Sequence, residues 1–223
     1  MTAEQHARSL FDVLPAEVRH LVILGGGSLR AFYDGTEIKD IDCFFKCSAD
    51  YYYVSNVLDD MPGWTSEDAP TGIRNFRSPC GRLVSLIGFE FGTVDEHVRR
   101  FDLRCCAMAA VFLKKYDEVV VCYYDLAEVV RDCTEKLLFV LNNNGTERTI
   151  RRITHYVEDY GYTLHPDQPE QDELFEDDDF RGHAPQGVHT PPKAPEPEYI
   201  LRARRRVRAI PVPTTATRKE DRR

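Results

Sequence analysis

Two short segments near the N-terminus carry residue types suited to phosphate and metal chemistry. Residues 25–28 read Gly-Gly-Gly-Ser and follow an apolar run at residues 21–24, while Asp40 and Asp42 flank one isoleucine. Glycines let the backbone approach a ligand closely, and the free amides that open a helix favour an anion. On a strand the two carboxylates point the same way and repel each other unless a cation lies between them. Such hard oxygen ligands select Mg²⁺ or Mn²⁺, which bind substrate phosphates.

Two other phosphate-binding motifs do not fit the glycine loop. A P-loop ends in Gly-Lys-Ser/Thr, whereas this loop continues as Leu29-Arg30. The dinucleotide-binding fingerprint needs a glycine where Arg30 stands. Each segment alone is also compatible with a plain turn, so the prediction depends on their order and spacing.

At this spacing the sequence resembles the nucleotidyltransferases of the DNA polymerase β superfamily. It is most similar to the head domain of the CCA-adding enzyme and poly(A) polymerase branch, whose motif is Gly-Gly-x-Val-Arg-Asp followed by Asp-x-Asp. Residues 26–30 match the opening of that motif, and Asp40 follows Gly26 by 14 residues, as in that branch. The chain departs from the family at Ala31, where the motif has Asp.

A later segment, residues 99–103, extends the resemblance. Its sequence Arg-Arg-Phe-Asp-Leu is similar to the Arg-Arg-Asp motif of CCA-adding enzymes with one residue inserted. It is also similar to the apolar-Asp-apolar strand that carries the third carboxylate in the wider superfamily. We therefore expect Asp102 to project from a strand beside the aspartate pair, with Arg104 on the same face. The alternatives are a capping role for Asp102 and a surface position for Arg104.

The resemblance implies a metal-dependent transfer of NMP from a nucleoside triphosphate to an acceptor hydroxyl, with release of pyrophosphate. Two Mg²⁺ or Mn²⁺ ions would be held by Asp40, Asp42 and Asp102. The triphosphate would be bound by Gly26, Gly27, Ser28, Arg30 and Arg104. The favoured acceptor is RNA, such as a tRNA 3′ end. The alternatives are a protein or small-molecule acceptor, and a catalytically inactive nucleotide-binding module of the same fold.

The elements that must position these residues form a mixed α+β pattern. We expect a nucleotidyltransferase fold with a short mixed sheet flanked by helices, a small helical neck and a disordered C-terminal tail. The predicted divisions are a catalytic domain at 1–124, the neck at 125–164 and the tail at 165–223. Strands are predicted at 21–24, 41–45, 83–87, 118–124, 137–141 and in the first half of 101–112. Helices are predicted at 28–33, 50–58, 93–100, 125–133 and 146–160.

Charge and composition limit the partners. Residues 1–164 hold 18 basic and 25 acidic side chains of a chain with net charge −8, which argues against a broadly basic nucleic-acid surface. The tail combines an acidic run, many prolines and the cluster Arg202, Arg204, Arg205, Arg206 and Arg208. That cluster either contacts RNA phosphates or makes the tail soluble. No segment has the apolar length of a membrane span, and we expect a cytoplasmic protein, in the host cytoplasm if phage-encoded.

Overall fold

A mixed seven-stranded sheet lies at the centre of the molecule, whose computed structural model describes residues 1–143 and 146–168. The strands are β1 (Val22–Gly25), β2 (Ile41–Phe45), β3 (Thr65–Glu67), β4 (Ile73–Arg77), β5 (Leu83–Phe91), β6 (Met108–Leu113) and β7 (Glu118–Tyr123). Their order across the sheet is β3-β4-β5-β2-β1-β6-β7. Strands β2 and β5 run parallel, and the other neighbours are antiparallel.

Helices flank this sheet along the described part of the chain. They are α1 (Ala3–Phe11), α2 (Gly27–Asp34), α3 (Ser48–Asp60), α4 (Val94–Arg100), α5 (Leu126–Glu135) and α6 (Thr146–Tyr160). Two short parallel strands, β8 (Leu137–Leu138) and β9 (Thr163–Leu164), form a separate small sheet. None of the helices in 1–143 and 146–168 is long and apolar enough to cross a membrane. This arrangement confirms the predicted α+β class.

Side-chain caps account for where two helices begin. Thr93 and Glu96 form the predicted capping box at the start of α4. Asp125 accepts a hydrogen bond of 3.1 Å from the Glu128 amide at the start of α5, also as predicted. Each cap satisfies amides that have no partner inside the helix.

The register of three central strands brings the two sequence motifs together. Gly25, the last residue of β1, pairs with Asp42 on the antiparallel neighbour β2. Asp42 in turn pairs with Ser85 on β5. The glycine loop and the aspartate pair therefore lie side by side, as the candidate site requires.

Alternation on β2 separates two apolar layers. Ile41, Cys43 and Phe45 are fully buried in the main core, as the predicted period of two requires. Phe44 lies on the opposite face, in a smaller apolar cluster that includes Val98 of α4. Asp42 shares this second face, so the candidate site lies on the side of the sheet that α4 covers.

The segment 101–107 departs from the predicted strand. Residues Arg104–Cys106 form a 3₁₀ turn, and the strand occupies only the second half of the run, as β6. The turn is buried from all sides, so its apolar sequence resembles that of an interior strand. The prediction that Asp102 and Arg104 share one strand face is therefore wrong.

Two further predictions concern the C-terminal part. The predicted strand at 137–141 is confirmed only for the two residues of β8, whereas the predicted helix at 146–160 is confirmed in full. The predicted tail and its arginine cluster lie outside the described residues, apart from 165–168. The domain boundaries at 124 and 164 stay a prediction.

Candidate active site

The aspartate pair lies at the start of β2. Asp42 is half-buried and faces a pocket, and Asp40 precedes the strand by one residue. Burial, followed by the charge of Asp40, raises the pKa of Asp42 to about 7. Burial also raises the pKa of Asp40, although the Ser85 hydroxyl and Lys39 act in the opposite direction. Both shifts indicate carboxylates whose negative charge is not fully compensated by their protein neighbours.

The glycine loop lies directly against this pair. Gly26 has φ +70° and ψ −137°, a conformation that glycine adopts without strain. A Cβ atom at Gly26 would lie 3.5 Å from Asp42 Oδ2, and one at Gly25 would lie 2.9 Å from the Phe101 ring. The helix begins at Gly27, so Ser28 lies inside it and donates a 3.4 Å hydrogen bond to the Gly25 carbonyl. The helix predicted at 28–33 therefore begins one residue earlier, with Gly26 rather than Ser28 at its N-cap.

Asp102 reaches the same pocket from the connection between α4 and the 3₁₀ turn. Its side chain is fully buried, and Oδ1 lies 2.9 Å from Arg152 Nη1 and accepts a 2.9 Å hydrogen bond from the Leu103 amide. Asp102 Oδ2 is buried and accepts no hydrogen bond from the described residues. One carboxylate oxygen is thus paired, and the other has an unused lone pair.

Gly26, Asp42 and Asp102 line one pocket of about 230 Å³, whereas Asp40, Gly27 and Ser28 are not among the described residues that line it. Its polar lining includes Gly26, Asp42, Glu90, His97, Arg100, Asp102, Arg148 and Arg152. Its apolar wall consists of Phe44, Ile73, Ile87, Phe89 and Phe101. The pocket therefore combines acidic groups, guanidinium groups and an aromatic wall, which are suited to a metal ion, a polyphosphate and a flat ring respectively.

The fit of a divalent cation rests on the acidic side chains. Asp40 and Asp42 have raised pKa values, and Asp102 has a buried oxygen without a hydrogen bond, so each has capacity for a cation. Among the described residues these three carboxylates do not form a closely convergent group; Glu128, Asp132 and His165 do. In that other group Arg104 pairs with both carboxylates, and Arg131 contacts Glu128 and His165. The carboxylates of that other group therefore already have cationic partners, and the oxygen donors of the aspartate pair are of the type that a divalent cation binds.

Comparison with solved structures identifies the fold. No protein-family model and no curated protein matches the chain by sequence. Among solved structures it is similar to a tRNA-processing enzyme, with 18% identity and a TM-score of 0.53 over 74% of this chain and 45% of that one. The chain has the nucleotidyltransferase fold. The Thermotoga maritima CCA-adding enzyme complexed with tRNA is also similar, with 16% identity and a TM-score of 0.50 over 76% of this chain and 43% of that one.

A third similar structure is a CCA-adding enzyme with ATP. Identity is 18% and the TM-score is 0.51, over 71% of this chain and 40% of that one. The chain thus spans less than half the length of each of these three proteins. At such identities the likeness establishes the nucleotidyltransferase fold alone.

Arg30, predicted to bind phosphate, does not line the pocket of this nucleotidyltransferase fold. Its side chain is 2% exposed, and its guanidinium carbon lies 4.6 Å from the Tyr156 ring and 4.5 Å from the Tyr160 ring. Nη1 lies 3.2 Å from Asp34 Oδ2. The structure thus places Arg30 in the interior between α2 and α6.

Arg104 is likewise absent from the pocket lining. Its Nε and Nη2 donate hydrogen bonds of 2.7 and 2.9 Å to Asp132, whose side chain is fully buried. The guanidinium carbon also lies 4.3 Å from the Phe139 ring. The turn that carries Arg104 directs the side chain towards α5, whereas a strand would have placed it beside Asp102.

Two cationic residues of the pocket, Arg148 and Arg152, were not among the predicted site residues: the sequence favours a solvated helix face for Arg151 and Arg152 over a nucleotide contact, and it does not single out Arg148. Both belong to α6, about 100 residues after the aspartate pair, so no local motif links them to it. Their spacing of four residues, continued by Tyr156 and Tyr160, marks a single helix face and was the available signal. The neighbouring Arg151 points elsewhere, since it pairs with Glu147 and is 70% exposed.

Proposed function

We propose that this chain is a metal-dependent nucleotidyltransferase that moves NMP from a nucleoside triphosphate to an acceptor hydroxyl and releases pyrophosphate. The observation that carries the proposal is the composition of one pocket. The Gly26 backbone, Asp42, Asp102 and the arginines Arg148 and Arg152 all line it. Such a set provides both a place for divalent cations and groups that bind a triphosphate.

Asp40, Asp42 and the unpaired oxygen of Asp102 are the residues that would hold the two Mg²⁺ or Mn²⁺ ions. When bound, these ions supply Lewis-acid activation of the acceptor hydroxyl and charge stabilisation on the leaving pyrophosphate. The protein residues then need no nucleophile of their own, because positioning and charge neutralisation provide most of the catalysis in phosphoryl transfer. In agreement with this, the described residues that line the pocket include no cysteine, serine or lysine.

Arg148 and Arg152 would bind and orient the triphosphate. A guanidinium group presents several donors in a plane and matches phosphate oxygens. Gly26 would allow the loop backbone to lie close to the phosphates, and Gly27 and Ser28 open α2, whose first amides would donate hydrogen bonds to an anion. The aromatic wall at Phe44 and Phe101 would exclude water around the sugar and base.

RNA, such as a tRNA 3′ end, is the acceptor that we favour. Two of the similar structures are a tRNA-processing enzyme and a CCA-adding enzyme complexed with tRNA. The arginine cluster at 202–208 would add phosphate contacts. A protein or small-molecule acceptor would use the same chemistry.

One observation favours a second candidate, a catalytically inactive nucleotide-binding module. Arg152 pairs with Asp102, the expected third metal ligand, at 2.9 Å. A carboxylate that stays paired with arginine would reduce the negative charge available to a second metal ion. The module would bind nucleoside triphosphate without releasing pyrophosphate.

The test is incorporation of label. The protein is incubated with Mg²⁺, each α-labelled nucleoside triphosphate and total RNA, beside Asp42→Asn and the exposed control Asp60→Asn. We expect label in a tRNA-sized band for the wild type and Asp60→Asn, and none for Asp42→Asn. Label on protein or a small molecule would change the acceptor, and bound triphosphate without label anywhere would favour the inactive module.

A further inference from the structure

One face of α6 lines the pocket at one end and packs in the interior at the other. Arg148, Arg152, Tyr156 and Tyr160 follow one another at intervals of four residues, so they form a stripe along the helix. Arg148 and Arg152 line the pocket. Tyr156 and Tyr160 contact the guanidinium of Arg30 with their rings. The stripe therefore connects the pocket arginines to Arg30 along a single rigid element.

The surroundings of Arg30 close it off from any ligand. A third ring, that of Tyr162, lies 5.7 Å from its guanidinium carbon, and Nη2 donates a 3.1 Å hydrogen bond to Thr36. Its Nε and Nη1 make no hydrogen bond with the described residues, although Nη1 lies 3.2 Å from Asp34 Oδ2, and the tyrosine rings cover the guanidinium. Asp34, its ion-pair partner, also accepts a 2.7 Å hydrogen bond from the Tyr162 hydroxyl.

A second contact joins the two halves of the stripe. Cys106 Sγ lies 2.7 Å from the Tyr156 hydroxyl and 3.8 Å from Arg152 Nη2. Cys106 thus bridges Arg152 and the tyrosine whose ring lies over the Arg30 guanidinium. A rotation of α6 that removed Tyr156 from Arg30 would also turn Arg152 relative to the pocket, because both residues share one helix face.

We propose that Arg30 is a positioning residue, which fastens α6 to the glycine-loop helix α2 and so holds Arg152 where it binds the triphosphate. Arg30 lies three residues after Gly27, in the same helix that the loop opens. The contact thereby fixes the two phosphate-binding elements relative to each other. This inference rests on the proposed function, since it concerns binding of a triphosphate, and it assigns Arg30 no contact with that ligand.

A direct ligand and a positioning residue differ in a double-mutant comparison. If Arg30 acts through Arg152, its replacement matters only while Arg152 is present. The background for this comparison is Asp102→Asn/Arg152→Gln, which removes both charges of the buried pair and leaves neither uncompensated. A phosphate ligand at Arg30 would instead lower the affinity by the same factor in both backgrounds.

The experiment measures binding of non-hydrolysable ATP, CTP, GTP and UTP analogues with Mg²⁺ by calorimetry. We expect Arg30→Gln to weaken binding about tenfold in the wild-type background and less than twofold in the double-replacement background. Arg104→Gln breaks a comparable buried arginine pair and controls for general destabilisation, with no expected change in affinity. If Arg30→Gln does not fold, the second variant is Tyr160→Leu, which removes one ring over Arg30 and leaves its charge. We expect this variant to lower the affinity about threefold.

The outcomes distinguish a positioning role of Arg30 from direct ligation and from a purely structural role. A loss confined to the wild-type background supports the inference. An equal loss in both backgrounds overturns it in favour of direct ligation, and an unchanged affinity of a folded Arg30 or Tyr160 variant overturns it in favour of a purely structural role. Failure of the wild-type protein to bind any of the four analogues overturns the proposed function, and the inference with it.

Discussion

Arg152 Nη1 lies 2.9 Å from Asp102 Oδ1, yet the two partners differ greatly in exposure. The Asp102 side chain is fully buried, whereas 29% of the Arg152 side chain is exposed, at the wall of the pocket. This asymmetry makes the carboxylate dependent on the guanidinium, while the guanidinium can be hydrated without it.

Removal of Arg152 is therefore predicted to destabilise the protein more than removal of Asp102. Arg152→Gln leaves a buried carboxylate uncompensated and should lower the free energy of unfolding by about 3–5 kcal/mol. Asp102→Asn leaves a guanidinium that reaches solvent and should cost about 1–2 kcal/mol. Denaturant unfolding measures both values, and a larger loss for Asp102→Asn would contradict this account of the pair.

Gly26 and Gly27 provide a matched pair of substitutions. Gly26→Ala forces a positive φ on alanine and places a methyl group 3.5 Å from Asp42 Oδ2. It should destabilise the protein by about 1–3 kcal/mol and weaken triphosphate binding. Gly27→Ala meets nothing within 4 Å and lies in a helix, so it should be neutral or stabilising by up to about 1 kcal/mol. Equal effects in melting and binding assays would exclude a special role for the Gly26 backbone.

The raised pKa of Asp42 predicts a pH dependence of stability. The folded state keeps a proton on Asp42 up to about pH 7, whereas the unfolded chain releases it near pH 4. The stability that this group contributes is fully present below about pH 4 and is lost as pH rises to about 7. Asp42→Asn cannot ionise, so without metal its melting temperature relative to wild type should increase between pH 5 and pH 8. The control Asp60→Asn should differ from the wild type by the same melting temperature at every pH. The same constant difference for Asp42→Asn would refute the raised pKa of Asp42.

Divalent cations should restore the stability that the protein loses as the pH rises to about 7. Mg²⁺ or Mn²⁺ binds the ionised carboxylates, so its addition should raise the melting temperature more at pH 8 than at pH 5.5. Asp40→Asn/Asp42→Asn should show no such increase at either pH. An increase of equal size in that variant would place the metal elsewhere, for example at Glu128 and Asp132.

Arg104 is predicted to act in stability alone. Arg104→Gln leaves the fully buried Asp132 with less compensation and should lower the free energy of unfolding by about 3–5 kcal/mol. The affinity of the folded variant for triphosphate should equal that of the wild type, by calorimetry below its melting temperature. A weakened affinity with unchanged stability would return Arg104 to the phosphate site that the sequence motif predicts.

Local patterns in the sequence were sufficient for the part of the site that is local in the chain. Alternation with period two correctly placed Asp42 opposite the core face of β2, and the spacing of glycine loop and aspartates predicted their proximity. These features depend on neighbouring residues, whose geometry the backbone determines. The helix at 146–160 was predictable for the same reason.

The remaining site residues depend on tertiary contacts. The position of Arg30 in the motif predicts a phosphate contact. Only the packing of α6 shows that tyrosine rings cover the Arg30 side chain instead. Residues 102–107 are buried, and burial alone does not distinguish an interior strand from an interior turn. That ambiguity is why the motif predicts a phosphate contact for Arg104, whereas Arg152 lies on α6, which no local motif links to the aspartate pair.

Pyrophosphate formation tests the central claim most directly. The wild-type chain, Asp40→Asn/Asp42→Asn and Asp60→Asn are each incubated with Mg²⁺, nucleoside triphosphates and total RNA, and pyrophosphate is quantified over time. We predict steady release by the wild type and Asp60→Asn, and release at background level by the double variant. Turnover of the double variant at the wild-type rate, or no pyrophosphate from a wild-type protein that binds triphosphate, would contradict nucleotidyl transfer at this aspartate pair.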